Sequence, residues 1–285
     1  MSAPFRLPYF DTLLSLLEQD DPVLNQVVGN HVHWGYWPEP ASAARTPDDF
    51  ARAAEALSRL VQQAARVADG MRVLDAGCGF GCTTASMNEG LSGVDLVGLN
   101  IDPRQLRRAQ GRLAARPGNT LAWVQSDACE LPFPDASFDA VLAVECIFHF
   151  PSREQFFREA FRVLKPGGRL GLSDFLTTAP LKPLMHAASS LPFFRMFYGR
   201  VKLHCGLDDY RRLAAGAGFR VSLEQDITVN TLPTYDFIRA LAGRQFRVPS
   251  FSAAVQTLFG EWASRAGALR YVVLGFEKAA ARKLG

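Results

Sequence analysis

Three stretches of the sequence gather residues capable of chemistry. In Val73-Leu-Asp-Ala-Gly-Cys-Gly-Phe-Gly81, three glycines at alternate positions follow a short apolar run that ends in an aspartate. Glycine takes positive φ without steric penalty and lets a ligand approach the backbone with no Cβ between them. Gly77, Gly79 and Gly81 therefore suit a loop that holds a polar ligand. Val144-Glu-Cys-Ile-Phe-His-Phe-Pro151 sets a carboxylate and an imidazole four residues apart. With an ordinary pKa of about 6.5, an imidazole accepts a proton near neutrality; a carboxylate can do the same or stabilise positive charge. Ser173-Asp-Phe175 adds a second carboxylate. Each stretch has a plainer alternative: a tight turn without ligand for the glycines, a helix cap for Glu145, a hydrogen-bonded core residue for His149 and a surface turn residue for Asp174.

The elements around these residues alternate. Strands are expected at 71–76, 94–100, 121–125, 138–145 and 169–174, with helices from about 83, over 103–115 and over 152–163. Lys165-Pro-Gly-Gly168 reads as a turn into the fifth strand. Before this core, 9–19 and 47–68 read as helices, the second opening with Thr46 as N-cap and Pro47 in its first turn. After it come a helix near 207–217, a strand near 219–228, helices at 233–242 and 250–265, and a strand at 271–276. Strand–helix alternation implies a parallel sheet covered by helices, a doubly wound α/β fold. The expected organisation is an N-terminal helical cap over 1–69 and a core domain over 70–285, with helical lid insertions at about 177–206 and 229–268.

Competing glycine-loop chemistries fail on particular residues. A dinucleotide-binding fingerprint needs glycine or alanine at 82 and an acid at the tip of the second strand; the chain has Cys82 and Asn100. A phosphate-binding Gly-Lys-Ser/Thr loop and a Gly-x-Ser-x-Gly nucleophile elbow are both absent. The 285 residues carry a net charge of +3 with scattered basic residues, which argues against a nucleic-acid surface. No apolar run reaches membrane-span length and the first eight residues lack a signal-peptide pattern, so a cytoplasmic protein is expected. Five cysteines form no disulfide-like framework. His31 and His33 lack a third ligand at recognisable spacing, and no metal is expected.

Taken in order, these segments resemble the class I S-adenosylmethionine-dependent methyltransferases over about residues 70–175. Val73–Gly81 is similar to their first signature, and Asn100 falls where the family usually has an acid for the ribose hydroxyls. Ser126-Asp127-Ala128 matches the motif after the third strand, whose aspartate meets the adenine amino group. Leu131-Pro-Phe-Pro-Asp135 with Ser137-Phe-Asp139, and Arg162-Val-Leu-Lys-Pro-Gly-Gly168, match the runs into strands four and five. The resemblance implies a Rossmann-like, seven-stranded, mainly parallel sheet. It also implies S-adenosylmethionine contacts from Asp75, Gly77, Cys78, Gly79, Asn100, Ile101, Gln105, Asp127, Ala128 and Glu145.

A narrower resemblance lies in His31-Val-His-Trp-Gly-Tyr-Trp37, which is similar to an entry segment of tocopherol and sterol C-methyltransferases and of macrolide and sugar O-methyltransferases. It implies that Trp34 and Tyr36 close over the sulfonium, where ring faces attract a cation; the alternative is packing of the N-terminal helices. The Glu145–Pro151 stretch resembles the same group, and with Ser173-Asp-Phe175 it implies catalytic roles for Glu145, His149 and Asp174, the last beside the acceptor to orient His149 or bind a substrate hydroxyl. The run 184–198 is apolar in almost every helical direction, more than a surface helix requires, so part of it is expected to line a pocket. Trp37, Phe148, Phe194, Phe197, Tyr198 and Phe237 are the expected pocket residues, with Phe246 beside them. The expected partner is a small hydrophobic acceptor, most simply a natural-product hydroxyl, with alkene C-methylation of an isoprenoid as the alternative; a homodimer is left open.

Overall fold

The computed structural model describes residues 8–18, 32–183, 185, 205–242 and 251–280. His31, Phe194, Phe197, Tyr198 and Phe246 lie outside the described residues, as does nearly all of the apolar run 184–198. Seven strands are present: β1 (Arg72–Ala76), β2 (Asp95–Asn100), β3 (Thr120–Gln125), β4 (Phe138–Val144), β5 (Leu164–Thr177), β6 (Phe219–Asp226) and β7 (Leu269–Lys278). They form one sheet in the order β3-β2-β1-β4-β5-β7-β6. The β1/β2, β1/β4, β2/β3 and β4/β5 pairs are parallel, with Val73 opposite Leu96 on one side and Ala140 on the other. The helices are α1 (Pro8–Glu18), α2 (Pro47–Ala64), α3 (Cys82–Gly90), α4 (Pro103–Arg112), α5 (Arg153–Val163), α6 (Leu207–Ala217), α7 (Thr228–Thr231), α8 (Pro233–Ala242) and α9 (Phe251–Arg265). This is the doubly wound α/β architecture that the sequence pattern implies.

The chain divides into two compact units. One comprises Met1–Leu57, Phe175–Gly206 and Asp226–Val272; the other comprises Ser58–Asp174, Leu207–Gln225 and Val273–Gly285. The second unit carries most of the sheet. β1, β2 and β4 are buried along almost their whole length, which explains their near-continuous apolar sequences, whereas β3 at the sheet edge is half-exposed. Phe157, Phe219 and Phe276 bring their rings together edge to face or tilted, with Phe157 5.1 Å from Phe276. The C-terminal half of α2 runs so close to β5 that a Cβ at Gly171 would sit 2.6 Å from the Val61 carbonyl oxygen.

Lys165–Gly168 departs from a simple turn. These residues belong to the fourteen-residue β5, and the ladder jumps from Phe138↔Leu164 to Ala140↔Arg169. Extra residues on one strand leave it bulged but still paired. Gly167 provides the positive φ of 83° that the bulge needs, and a Cβ at Gly168 would crowd the Lys165 and Asp139 carbonyl oxygens.

In the first unit, α2 starts where the sequence indicates: Thr46 Oγ1 accepts from the Asp49 N–H at 3.2 Å. Trp37, Phe50, Ala53, Ala54 and Phe237 make an apolar cluster, with the Phe50 and Phe237 rings stacked at 4.5 Å. The segment before α2 is tied to it by the Tyr36 N–H bond to the Ala53 carbonyl, and to α7 by the Trp37 N–H bond to the Asn230 carbonyl. Gly35 has no room for a side chain, because a Cβ would lie 2.6 Å from the Trp37 ring.

Gly171→Ala is expected to destabilise the protein by about 1–3 kcal/mol through overpacking against a helix backbone that cannot yield. Thermal melting would register this as a drop of several degrees, and an unchanged Tm would contradict the packing described.

Candidate active site

Strand order reverses its winding between β1 and β4, and in open parallel sheets ligands bind beyond the carboxyl ends of strands at such a switch point. The glycine loop leaves β1 here. Gly77, Gly79 and Gly81 all have positive φ (79°, 56° and 81°), as their alternate spacing requires. The Gly77 and Cys78 N–H groups both donate to the Leu99 carbonyl, tying the loop to the tip of β2. Gly77 also faces the start of the β4 loop, where a Cβ would lie 2.8 Å from the Cys146 sulfur. The Cys146 thiol in turn donates to the Ala76 carbonyl at 3.1 Å. Burial pushes the Cys78 and Cys146 thiols up, with the nearby Asp75 carboxylate adding to the effect, so both are uncharged packing groups.

Asp75 ends β1 almost fully buried. Its Oδ2 accepts from the Thr84 hydroxyl at 2.8 Å, which links the strand to α3. Burial raises its pKa from an ordinary 3.8 to about 6, against the opposing pull of its hydrogen bonds with Thr84. At the tip of β2, the Asn100 side chain donates to Gln105 Oε1 at 2.9 Å and accepts from the Ile101 N–H at 2.8 Å. Asn100, Ile101 and Gln105, three of the expected cofactor contacts, are thus one hydrogen-bonded cluster. Asp102 caps α4 by accepting from the Arg104 N–H. After β3, Asp127 Oδ1 accepts from the Cys129 N–H at 2.8 Å, a local turn that places Asp127 and the buried Ala128 at the start of the loop.

Glu145 leaves β4 with φ of 49°, unusual for a residue with a side chain. Its N–H points to Ser173 on β5, 3.1 Å from Oγ and 3.3 Å from the carbonyl oxygen. A single helical turn, Ile147–His149, follows; the His149 ring is buried 4.4 Å from that of Phe148. α5 is capped by Ser152, which accepts from the Gln155 N–H, so the helix-cap alternative for Glu145 does not apply. Asp174 has no exposed surface, which rules out a surface turn residue. Its Oδ2 accepts from Arg153 Nη2 at 2.9 Å and from the Tyr210 hydroxyl, while Arg153 Nε donates to the same hydroxyl at 3.1 Å.

The aromatic residues of the entry segment and of α8 lie in the first unit. Trp34 makes edge contacts with Tyr235 at 4.3 Å and Phe175 at 5.1 Å. Trp37 and Phe237, expected at the acceptor pocket, are 5% and 3% exposed within the apolar cluster, and Trp37 Nε1 donates to Asp49. Their observed contacts are those of packing residues. The buried His33 imidazole bonds the Trp34 carbonyl, and burial lowers its pKa.

Sequence reasoning passed over Trp123, Arg153 and Tyr210. Trp123 on β3 lies against Gly98 and Gly81, where added Cβ atoms would collide with its ring. The glycine at 98, directly opposite Trp123 in the parallel register, was the available signal. Arg153 and Tyr210 carried no motif. Among the described residues, no helix is long and apolar enough to cross a membrane, and no group of three His, Cys, Asp or Glu is placed to hold a metal.

Comparison with known proteins agrees with this geometry. A family model described as a methyltransferase domain matches residues 74–172. The 27-O-demethylrifamycin SV methyltransferase of Amycolatopsis mediterranei (strain S699) is 34% identical over 217 residues, 75% of each chain. A sterol 24-C-methyltransferase of Aspergillus fumigatus is 42% identical over 114 residues, covering 39% of this chain and 30% of that one. The fold also matches geranyl diphosphate C-methyltransferase from Streptomyces coelicolor A3(2), solved with S-adenosyl-L-homocysteine, at a TM-score of 0.69 and 19% identity over 97% of this chain and 100% of that one. The chain belongs to the methyltransferases: it is an enzyme that uses S-adenosylmethionine as methyl donor. The residues present fit that cofactor, since three left-handed glycines turn the loop at the end of β1 beside the switch point and the Asn100–Gln105 pair offers buried polar atoms at the next strand tip.

The raised pKa of Asp75 carries a pH signature. Below pH 3.8 the folded and unfolded chains both hold this proton. From there to about pH 6 the unfolded chain ionises first, so stability falls, and above about 6 the loss is complete. Relative to Asp75→Asn, the wild-type protein should lose up to about 3 kcal/mol across this window and nothing further above it. Urea unfolding of both proteins at a series of pH values measures the difference; parallel curves would refute the assignment.

Proposed function

We propose that the enzyme O-methylates a hydroxyl group on a small hydrophobic metabolite, with His149 as the general base. The observation that carries this reading is the pairing of Glu145 and His149 in the loop that leaves β4 against the glycine loop, with Glu145 set in a left-handed conformation. Non-glycine residues in this region are strained, and such strain clusters where side chains must be aimed. Hydrophobicity of the acceptor is supported by the apolar sequence at 184–198. The relative named for 27-O-demethylrifamycin SV supports an oxygen acceptor on a natural product. A protein or nucleic-acid acceptor is disfavoured by the low and scattered charge.

When bound, S-adenosylmethionine supplies a methyl group already activated by a sulfonium centre with a neutral leaving group. The protein's own residues therefore chiefly align the acceptor and exclude water. Asn100 and Gln105 would hold the ribose side of the cofactor, Asp127 and Ala128 its adenine, and the loop from Gly77 to Gly79 its amino-acid end. The His149 imidazole takes the acceptor's hydroxyl proton as the new bond forms. Glu145 balances the charge that then appears on the imidazole.

A second reading is C-methylation of an isoprenoid alkene, favoured by the 42% identity to a sterol 24-C-methyltransferase. Glu145 then removes the proton and His149 is secondary.

The readings separate in an assay that follows transfer of labelled methyl from S-adenosylmethionine into 27-O-demethylrifamycin SV and into an organic extract of the source cells. O-methylation predicts that His149→Ala lowers turnover by about 10²–10⁴-fold while S-adenosylhomocysteine affinity, measured by calorimetry, is retained. Glu145→Gln should have the smaller effect. Full turnover by His149→Ala with near-complete loss in Glu145→Gln would replace this reading with C-methylation.

A further inference from the structure

The loop 145–153 carries Glu145 and His149, and both its ends are fastened to two consecutive residues of β5. At the start, the Glu145 N–H is held by Ser173 through the hydroxyl at 3.1 Å and the carbonyl at 3.3 Å. At the end, Arg153 opens α5 and reaches the fully buried Asp174 at 2.9 Å, with the Tyr210 hydroxyl of α6 bonded to both. Arg153, Asp174 and Tyr210 are all buried, at 7%, 0% and 1% exposure. Replacing a buried ion pair of this kind by apolar groups is often neutral for stability, so stability alone gives little reason for its presence. A charged pair does fix direction and distance more sharply than an apolar contact, because a guanidinium must meet the carboxylate along its N–H bonds.

We propose that Ser173, Asp174, Arg153 and Tyr210 form a clamp that sets the reach of the Glu145–His149 loop, with Arg153 and Tyr210 as positioning residues for methyl transfer. Asp174 then acts as the anchor of the clamp through Oδ2, which accepts from both Arg153 and Tyr210, and proton removal is assigned to the loop itself. The clamp rests on the reading that this loop performs the chemistry. It requires no change of protonation and no ligand of its own; it converts the position of β5 into the position of His149.

The test uses three variants of the full chain. Arg153→Met alone leaves Asp174 buried without its partner and is expected to destabilise strongly. The double variant Arg153→Met with Asp174→Leu removes both charges and should melt within a few degrees of wild type, with S-adenosylhomocysteine affinity within about 3-fold by calorimetry. In single-turnover transfer of labelled methyl into the same extract, this well-folded double variant is expected to be slowed about 10–100-fold. Amide hydrogen exchange in the peptide 145–153 should speed up while the β1–β3 peptides stay unchanged. Tyr210→Phe, which keeps the ring and the ion pair, should show an intermediate loss of transfer rate.

A double variant with wild-type transfer and wild-type exchange at 145–153 would overturn the clamp. So would an Asp174→Asn variant in which transfer is abolished and the acidic limb of the pH–rate profile disappears while exchange at 145–153 stays as in wild type, because that result makes Asp174 the base. Failure of the broader reading looks different: there His149→Ala and Glu145→Gln both retain full transfer, whatever the clamp variants do.

Discussion

At the line where the sheet changes winding direction, β1 and the segment leaving β4 meet with no space for a methyl group. The hydrogen atom of Gly77 faces the Cys146 side chain at a separation that any Cβ would close to 2.8 Å, and the thiol bonds back to the Ala76 carbonyl. Interiors packed this tightly transmit position from one element to the next. The distance between the cofactor loop and the residues proposed for chemistry is consequently set by backbone against side chain. Long flexible side chains do not have to bridge a gap. The same economy of space recurs at Gly98 and Gly81, which together make room for the Trp123 ring beneath the loop.

Four polar groups around this contact have a partner that holds them in one direction, and three of them, Asp75, Asn100 and Asp174, are buried. Asp75 is fastened to Thr84, Asn100 to Gln105, Asp127 to the Cys129 N–H, and Asp174 to Arg153 and Tyr210. A buried polar group without a partner costs about 1–3 kcal/mol, so these pairings also forbid alternative arrangements of the loops. Preorganisation of this kind suits a reaction in which the methyl donor arrives activated and orientation is the enzyme's main contribution. The cost of the arrangement is visible at two places: the strained backbone of Glu145 and the protonation bias of Asp75.

Much of this was legible in the sequence. Local signals sufficed wherever the physics is local: alternate glycines demand left-handed turns, short runs rich in apolar residues make buried parallel strands, and Thr46 caps the helix that follows it. The order of these signals also specified a doubly wound sheet, because βαβ connections have one handedness.

Other features depend on residues far apart in the chain and became readable only after folding. Nothing near Asp174 in sequence announces that Arg153 and Tyr210, 21 and 36 positions away, will enclose its carboxylate; that follows from β5, α5 and α6 converging in the folded unit. Trp37 and Phe237 show aromatic character and no more; whether a ring packs or lines a pocket is decided by what stacks on it, here Phe50. Lys165–Gly168 carried the residues of a turn, and they form the unpaired excursion of a bulge because the flanking Leu164 and Arg169 both pair with β4. The sequence thus determined the fold and the shape of the glycine loop, for which short-range sterics and periodic burial suffice. The tertiary structure alone decided which charged and aromatic side chains are spent on holding the site together, because long-range packing chooses their partners.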